Sequence, residues 1–178
     1  MSFYFLKRTY LKGFLLLTLA FLSGAVLFPS WASDVLPVGI KAPAFNLPAT
    51  GNQTISLSQY QGNKKLILVF YPGDNTPGCT IQLCALRDHY DVVKALNGEV
   101  LASNPASVKS HENFAQRQHY LFPILSDADH TMAKAYGVDG LFGFNRRTVY
   151  IIDKKGVVQF AERGMPTVEK ILSVLRKI

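Results

Sequence analysis

The chain has 178 residues, 48% hydrophobic and 17% charged, which is enough for one domain with a sizeable core and too apolar for a disordered chain. The formal charge is +7, but Lys7, Arg8 and Lys12 all precede the first acidic residue, Asp34, and no later stretch packs basic residues densely or interleaves them with aromatics. That pattern argues against nucleic-acid binding, and neither a solenoid-period repeat nor a low-complexity run is present.

Residues 1–32 read as a targeting segment. Lys7, Arg8 and Lys12 form a basic start and Gly13 to Phe28 an apolar run. Ser30-Trp31-Ala32 then offers small residues at the two positions a signal peptidase reads, which favours cleavage after Ala32. An uncleaved anchor is the alternative, because the uncharged stretch from Gly13 to Ser33 just reaches the roughly 20 residues that span a bilayer. Lys7 to Lys12 loosely echoes a twin-arginine signal with Lys in place of the first Arg. No Cys near the cleavage point supports a lipid anchor. The expectation is a domain exported across a membrane, into a periplasm or equivalent lumen, that touches the membrane only through this segment.

Residues 33–41, with Pro37 and Gly39, read as a linker, and 42–178 as the folded domain. Phe45-Asn46-Leu47 and Ile55-Ser56-Leu57 alternate around Gly51-Asn52, as in a small hairpin. The apolar run Leu66 to Tyr71 predicts a strand buried on both faces, stopped by Pro72. After the loop 73–76, Pro77 suits a first helical residue behind a Thr76 cap. Leu83, Leu86, Tyr90, Val93 and Leu96 extend one helix to Asn97-Gly98. A short strand is expected at Val100 to Ala102, a helix at Ser107 to Gln118, a strand at Phe122 to Leu125 and a helix at Asp129 to Tyr136. Thr148 to Ile152 and Val157 to Phe160 read as a hairpin, and Thr167 to Arg176 as a last amphipathic helix. The alternation predicts an α/β domain of three layers with a central mixed sheet flanked by helices.

Cys79 and Cys84 are the only cysteines. Cys79 falls in the first turn of a helix behind a buried strand. Free backbone N–H groups and the helix dipole favour a thiolate there, and the thiolate is the nucleophile. Residues five apart on an intact helix have Cα atoms about 8 to 9 Å apart, and a disulfide needs them within about 7 Å. A bond between the two therefore requires the helix start to unwind, which suits a transient bridge better than a structural one.

Pro72, Thr76 and Cys79 match the Pro-x-x-x-Thr-x-x-Cys loop of the peroxiredoxins, which this block resembles. The string Tyr71-Pro72-Gly73-Asp74-Asn75-Thr76-Pro77-Gly78-Cys79-Thr80, with Cys84 and Arg87-Asp88 behind it, is similar to the bacterioferritin comigratory protein (peroxiredoxin Q) subfamily. Ser110-His111-x-x-Phe114-Ala115, Phe122 to Asp127 and Tyr136-Gly137-Val138 extend the resemblance from about Val38 to the C-terminus. It implies a thioredoxin-like fold and a thiol-dependent peroxidase with Cys79 as nucleophile and Cys84 as resolving cysteine. Pro72 and Thr76 would then shape the pocket, and an arginine would precede the late strand that ends at Asp153. Arg147 takes that role, with Arg146 as the adjacent competitor, since alternation points only one of them inward. The implied partners are hydrogen peroxide or organic hydroperoxides and an external thioredoxin-like dithiol. The implied state is a monomer without cofactor or metal.

The sequence departs from the family pattern at Gln82, where Glu is usual, and at Leu86, where Phe is common. Ala102 to Ala106 also departs, with no chemical consequence expected. The alternative function is a thioredoxin-like thiol-disulfide oxidoreductase, but that chemistry uses Cys-x-x-Cys, and four residues intervene here. A metal site built from Cys79, Cys84, His89 and His111 lacks paired ligand spacing. His89, His119 and His130 read as surface residues, and His111 as structural. Phe142 and Phe144 read as packing residues, or as a cover for the pocket mouth.

Overall fold

The computed structural model describes residues 35–178, and the targeting segment expected over 1–32 lies outside the described residues. Seven strands, β1 (Asn46–Ala49), β2 (Gln53–Ser56), β3 (Lys65–Phe70), β4 (Gly98–Asn104), β5 (Ile124–Ser126), β6 (Thr148–Ile152) and β7 (Val158–Arg163), form one mixed sheet in the order β2-β1-β5-β4-β3-β6-β7. Five helices join them: α1 (Pro77–Asp88), α2 (Tyr90–Ala95), α3 (Val108–Gln118), α4 (Thr131–Ala135) and α5 (Val168–Lys177).

The apolar run through β3 is buried on both faces because the sheet has a core on each side. Ile67, Val69 and Tyr71 enter one core with Leu83 and Leu86 of α1, Val93 of α2, Phe114 of α3 and Ile171 of α5. Leu66, Leu68 and Phe70 enter the other with Ile55 of β2 and Met132 and Ala133 of α4. Each fully buried Leu contributes about 1.5–3 kcal/mol, so this alternation fixes the register as well as the stability. The three-layer arrangement expected from the sequence is present.

Several elements differ from their expected spans. The long helix breaks at His89, whose backbone leaves helical geometry at φ −110° and ψ 12°. The His89 ring Nδ1 donates to the Ala85 carbonyl at 2.9 Å, taking the acceptor that its own backbone N–H would use in a continuing helix. β4 runs longer than expected because it pairs in parallel with all of β3, from Lys65↔Gly98 to Phe70↔Ser103. α4 is shorter because His130 is left-handed, at φ 57°, and Asp127 accepts from the backbone N–H groups of Met132 and Ala133 at the helix start. The described part of the expected linker lies along the domain. Leu36 N–H donates to the Tyr150 hydroxyl at 3.0 Å, Gly39 N–H to the Val158 carbonyl at 2.8 Å, and Val158 N–H to the Ile40 carbonyl at 2.9 Å.

The sheet topology sets the site. β3 and β4 run in parallel and end together, and β6 runs against β3 with Phe70 opposite Thr148. The residue before β6, Arg147, is thereby carried to the end of β3 where α1 begins. Open α/β sheets place ligands at that carboxyl end.

The segment leading to Arg147 is pinched. Asp139 bridges to Asn145, and a β-carbon on Gly140 would run into the Phe144 carbonyl. Gly140→Ala is expected to lower stability by about 1–3 kcal/mol in chemical denaturation. An unchanged midpoint would show that the pinch relaxes freely. The pinch throws Leu141, Phe142 and Phe144 outward. Phe142 is 93% exposed, so it does not fill the packing role expected of it.

Candidate active site

Thr76 occupies the N-cap of α1 in extended geometry, with Pro77 as the first helical residue. Cys79 is the third residue of α1, in the turn whose backbone N–H groups lack intrahelical acceptors. The Thr76 side chain does not cap the helix. Its hydroxyl donates to the Gly73 carbonyl at 3.3 Å instead. Pro72 follows Tyr71 at the end of β3 and is half-buried in the same loop.

Arg147 reaches this turn from β6. A methyl group on Gly78, next to Cys79, would sit 3.5 Å from its Nη2, and its Nη1 donates to Oε1 of Gln82 at 2.6 Å. Arg146 turns the other way, with its Cγ against the Gly140 side of the pinched loop. Gln82 is buried at 4% exposure, one helical turn after Cys79, and its Nε2 has no hydrogen-bond partner among the described residues.

Cys84 lies on the same unbroken helix and is a free thiol. It is half-buried against the first core, and its sulfur donates to Oε1 of Gln118 at 3.6 Å, with the Tyr120 hydroxyl at 3.8 Å. Arg87 Nη1 donates to the Gln118 carbonyl at 2.5 Å and so ties α1 to the end of α3.

The loop is held by a residue that sequence reasoning quoted without giving it a role. The Asp74 carboxylate accepts from the Tyr71 hydroxyl at 2.7 Å, Asn104 Nδ2 at 2.9 Å, Ser110 Oγ at 2.6 Å and His111 Nδ1 at 3.0 Å. Burial alone pushes this carboxyl up. The hydrogen bonds from His111, Ser110 and Tyr71, with the charge of His111, outweigh burial and bring it down to about 2. Asn104, which lies within the departure at Ala102 to Ala106, is one of these donors. The signal available in sequence was a set of polar residues at strand ends and at a helix start. Arg117 Nη2 holds the next residue through Oδ1 of Asn75 at 2.6 Å.

A groove of about 290 Å³ runs beside α1, lined by Ile81, Gln82, Ala85, Met165 and Ile171 among others. A larger concavity of about 620 Å³ lies at the opposite end of the sheet, among Lys65, Lys154, Lys155 and Lys177, and is lined by no cysteine.

The chain is similar to known proteins. The chain is 39% identical over 142 residues to chloroplastic peroxiredoxin Q of Triticum aestivum, a match over 79% of this chain and 65% of the wheat protein, so it spans just under two thirds of that relative. It is 40% identical over 130 residues to a peroxiredoxin named bcp in Coxiella burnetii, over 69% of this chain and 85% of that one. Among solved structures it superposes on a PrxQ mutant of Xylella fastidiosa with a TM-score of 0.75 at 28% identity, covering 81% of this chain and 98% of that one. Peroxidoxin BcpB of Mycobacterium tuberculosis gives a TM-score of 0.75 at 28% identity, over 80% and 98%. The AhpC/TSA family profile matches residues 38–161, and the chain belongs to that family, in the branch of peroxiredoxin Q and the bacterioferritin comigratory proteins.

Proposed function

We propose that the protein is an exported thiol peroxidase that reduces hydroperoxides through Cys79 and resolves the product with Cys84. The observation that carries this reading is the Arg147 guanidinium, brought by β6 to the first turn of α1 beside Gly78 and bonded to Gln82.

Arg147 and the helix N-terminus hold Cys79 as a thiolate. Pro72 has no N–H and shields the sulfur from bulk water. The Thr76 hydroxyl spends its proton on Gly73, so its lone pairs are left to accept the O–H of an incoming hydroperoxide. The thiolate attacks one peroxide oxygen. An S–O bond forms, the O–O bond breaks, and Arg147 stabilises the charge on the departing oxygen until water protonates it. Cys79 is oxidised by two electrons to a sulfenic acid, and the peroxide is reduced to water and, for an organic hydroperoxide, an alcohol. The start of α1 then unwinds. Cys84 attacks the Cys79 sulfur, an S–S bond forms and water leaves. An external dithiol of thioredoxin type reduces the disulfide and completes the cycle. The basic-then-apolar segment over residues 1–32 supports export, and the domain works as a monomer.

Mass spectrometry before and after one equivalent of hydrogen peroxide tests this on wild type and Cys84→Ser. Wild type should lose two hydrogens to a Cys79–Cys84 bond, and the variant should trap a sulfenic acid at Cys79. Untouched thiols would defeat the peroxidase reading. A bridge already present and resistant to reductant would indicate a structural role.

A further inference from the structure

The concavity of about 620 Å³ lies where β3 begins, at the far end of the sheet from the start of α1. Three parts of the fold converge on it. Lys65 opens β3, Lys154 and Lys155 form the turn between β6 and β7, and Lys177 ends α5. Other lysines are mostly paired: Lys64 with Glu99, Lys94 with Asp91, Lys109 with Glu112 and Lys170 with Glu162. Of the six described lysines with no acidic partner, these four line the one concavity. Lys41 is a fifth, at its edge, with Nζ donating to the Lys155 carbonyl at 2.6 Å.

The negative groups nearby are already engaged. The Asp153 carboxylate accepts from the backbone N–H groups of Lys155 and Val157 through Oδ1, and from Gln159 Nε2 through Oδ2. α5 turns its carbonyl end this way, and Lys65 Nζ donates to the Leu175 carbonyl at 2.7 Å. Lys65 is thereby spent on the helix end. Lys154, Lys155 and Lys177 remain as three ammonium groups in no ion pair among the described residues. Crowding like charges works against the compact state, and a concave face of one sign concentrates counter-ions.

We propose that this concavity binds a multiply charged phosphate, either a short free polyphosphate or the headgroup of an anionic lipid, through Lys154, Lys155 and Lys177. An ammonium on a flexible stem meets phosphate oxygens as a point charge from any side, whereas the arginine fork matches planar carboxylates. No arginine lines the concavity, and no aromatic ring is there to stack on a nucleobase. Its volume falls within the range of about 300–1,000 Å³ common to small-molecule sites. The site uses neither cysteine, so it stands or falls apart from the peroxidase reading.

The test titrates the full chain with inorganic tripolyphosphate in a calorimeter. In a second arm the chain is sedimented with vesicles of phosphatidylcholine, with and without phosphatidylglycerol. Vesicles of phosphatidylcholine alone report attachment through residues 1–34, and the excess with phosphatidylglycerol reports charge. Both arms compare wild type with the double variant Lys154→Gln, Lys155→Gln, with Lys177→Gln, and with Lys134→Gln. The last removes a lysine on α4 that also lacks an acidic partner but lies outside the concavity. The double variant should weaken binding by about tenfold or more, Lys177→Gln should weaken it too, and Lys134→Gln should leave it unchanged. Such a loss for tripolyphosphate assigns a free phosphate, and a loss confined to vesicles assigns a headgroup. Binding in neither arm, or an equal loss in Lys134→Gln, overturns the proposal. If the double variant does not fold, Lys177→Gln, on a separate element, decides by the same comparison with Lys134→Gln.

Discussion

Replacing Arg147 with Met is expected to slow the reaction of Cys79 with hydrogen peroxide by about 10²–10³-fold, read as single-turnover peroxide consumption in stopped flow. The guanidinium sits at the first turn of α1, beside Gly78 and bonded to Gln82, and on the proposed mechanism it would stabilise two charges. The first is the thiolate before attack, and the second is the oxygen that leaves. Losing a fixed cation costs on both counts, because fewer molecules carry a thiolate and the departing oxygen loses a donor. Arg147→Lys should recover only part of the rate, since an ammonium cannot keep the planar fork that reaches Gln82 and the helix turn together. Arg146→Met serves as the control. Its side chain packs toward Gly140, so the rate should stay near wild type. Equal losses at both positions would mean that general positive charge, and not the placement of Arg147, drives the reaction.

Replacing Asp74 with Ala is expected to cost about 3–5 kcal/mol in chemical denaturation and to lower peroxidase activity along with it. Four donors from three other parts of the fold converge on this carboxylate, and its side chain is only 5% exposed. Removing it strands a fully buried His111 and frees the loop that carries Thr76 to the start of α1. The effect has a definite pH dependence. The folded carboxyl titrates at about 2, below the range of an unfolded aspartate. The unfolded chain therefore binds the proton first as pH falls, and the stability that Asp74 contributes is complete above about pH 5 and drains away toward pH 2. That part amounts to about 2 kcal/mol. The stability gap between wild type and Asp74→Ala should narrow across that window. A gap that stays constant from pH 6 to pH 2 would show that the carboxylate is not held down by its donors.

Much of this site was legible in the chain itself. The run Leu66 to Tyr71 was readable as a doubly buried strand because it has no polar alternation, and β3 is packed on both faces. Pro77 behind Thr76 marked the start of α1, because proline is pre-shaped for a first helical turn and lacks the N–H that turn would leave unpaired. Positions 79 and 84 on one helix already implied that any bridge between them requires unwinding. The break at His89 was not legible, since the apolar spacing continues across it and only the His89 ring at the Ala85 carbonyl interrupts the ladder. The anchoring of Asp74 was not legible either. Its partners Asn104, Ser110 and His111 are distant in sequence, and each reads by itself as an ordinary strand-end or helix-start residue.

Local chemistry thus belongs to the sequence: which segments bury, where α1 begins, and that a cysteine stands in its first turn. Those properties depend on neighbours within a few residues, through side-chain polarity and backbone geometry. Pairing across the sheet decided the rest. The antiparallel run of β6 against β3 brings Arg147 to Gln82 and chooses it over Arg146, and four separate donors fix the loop through one carboxylate. Such contacts form only when strands far apart in the chain come into register, and no local pattern encodes them because each partner's energy depends on where the other lies.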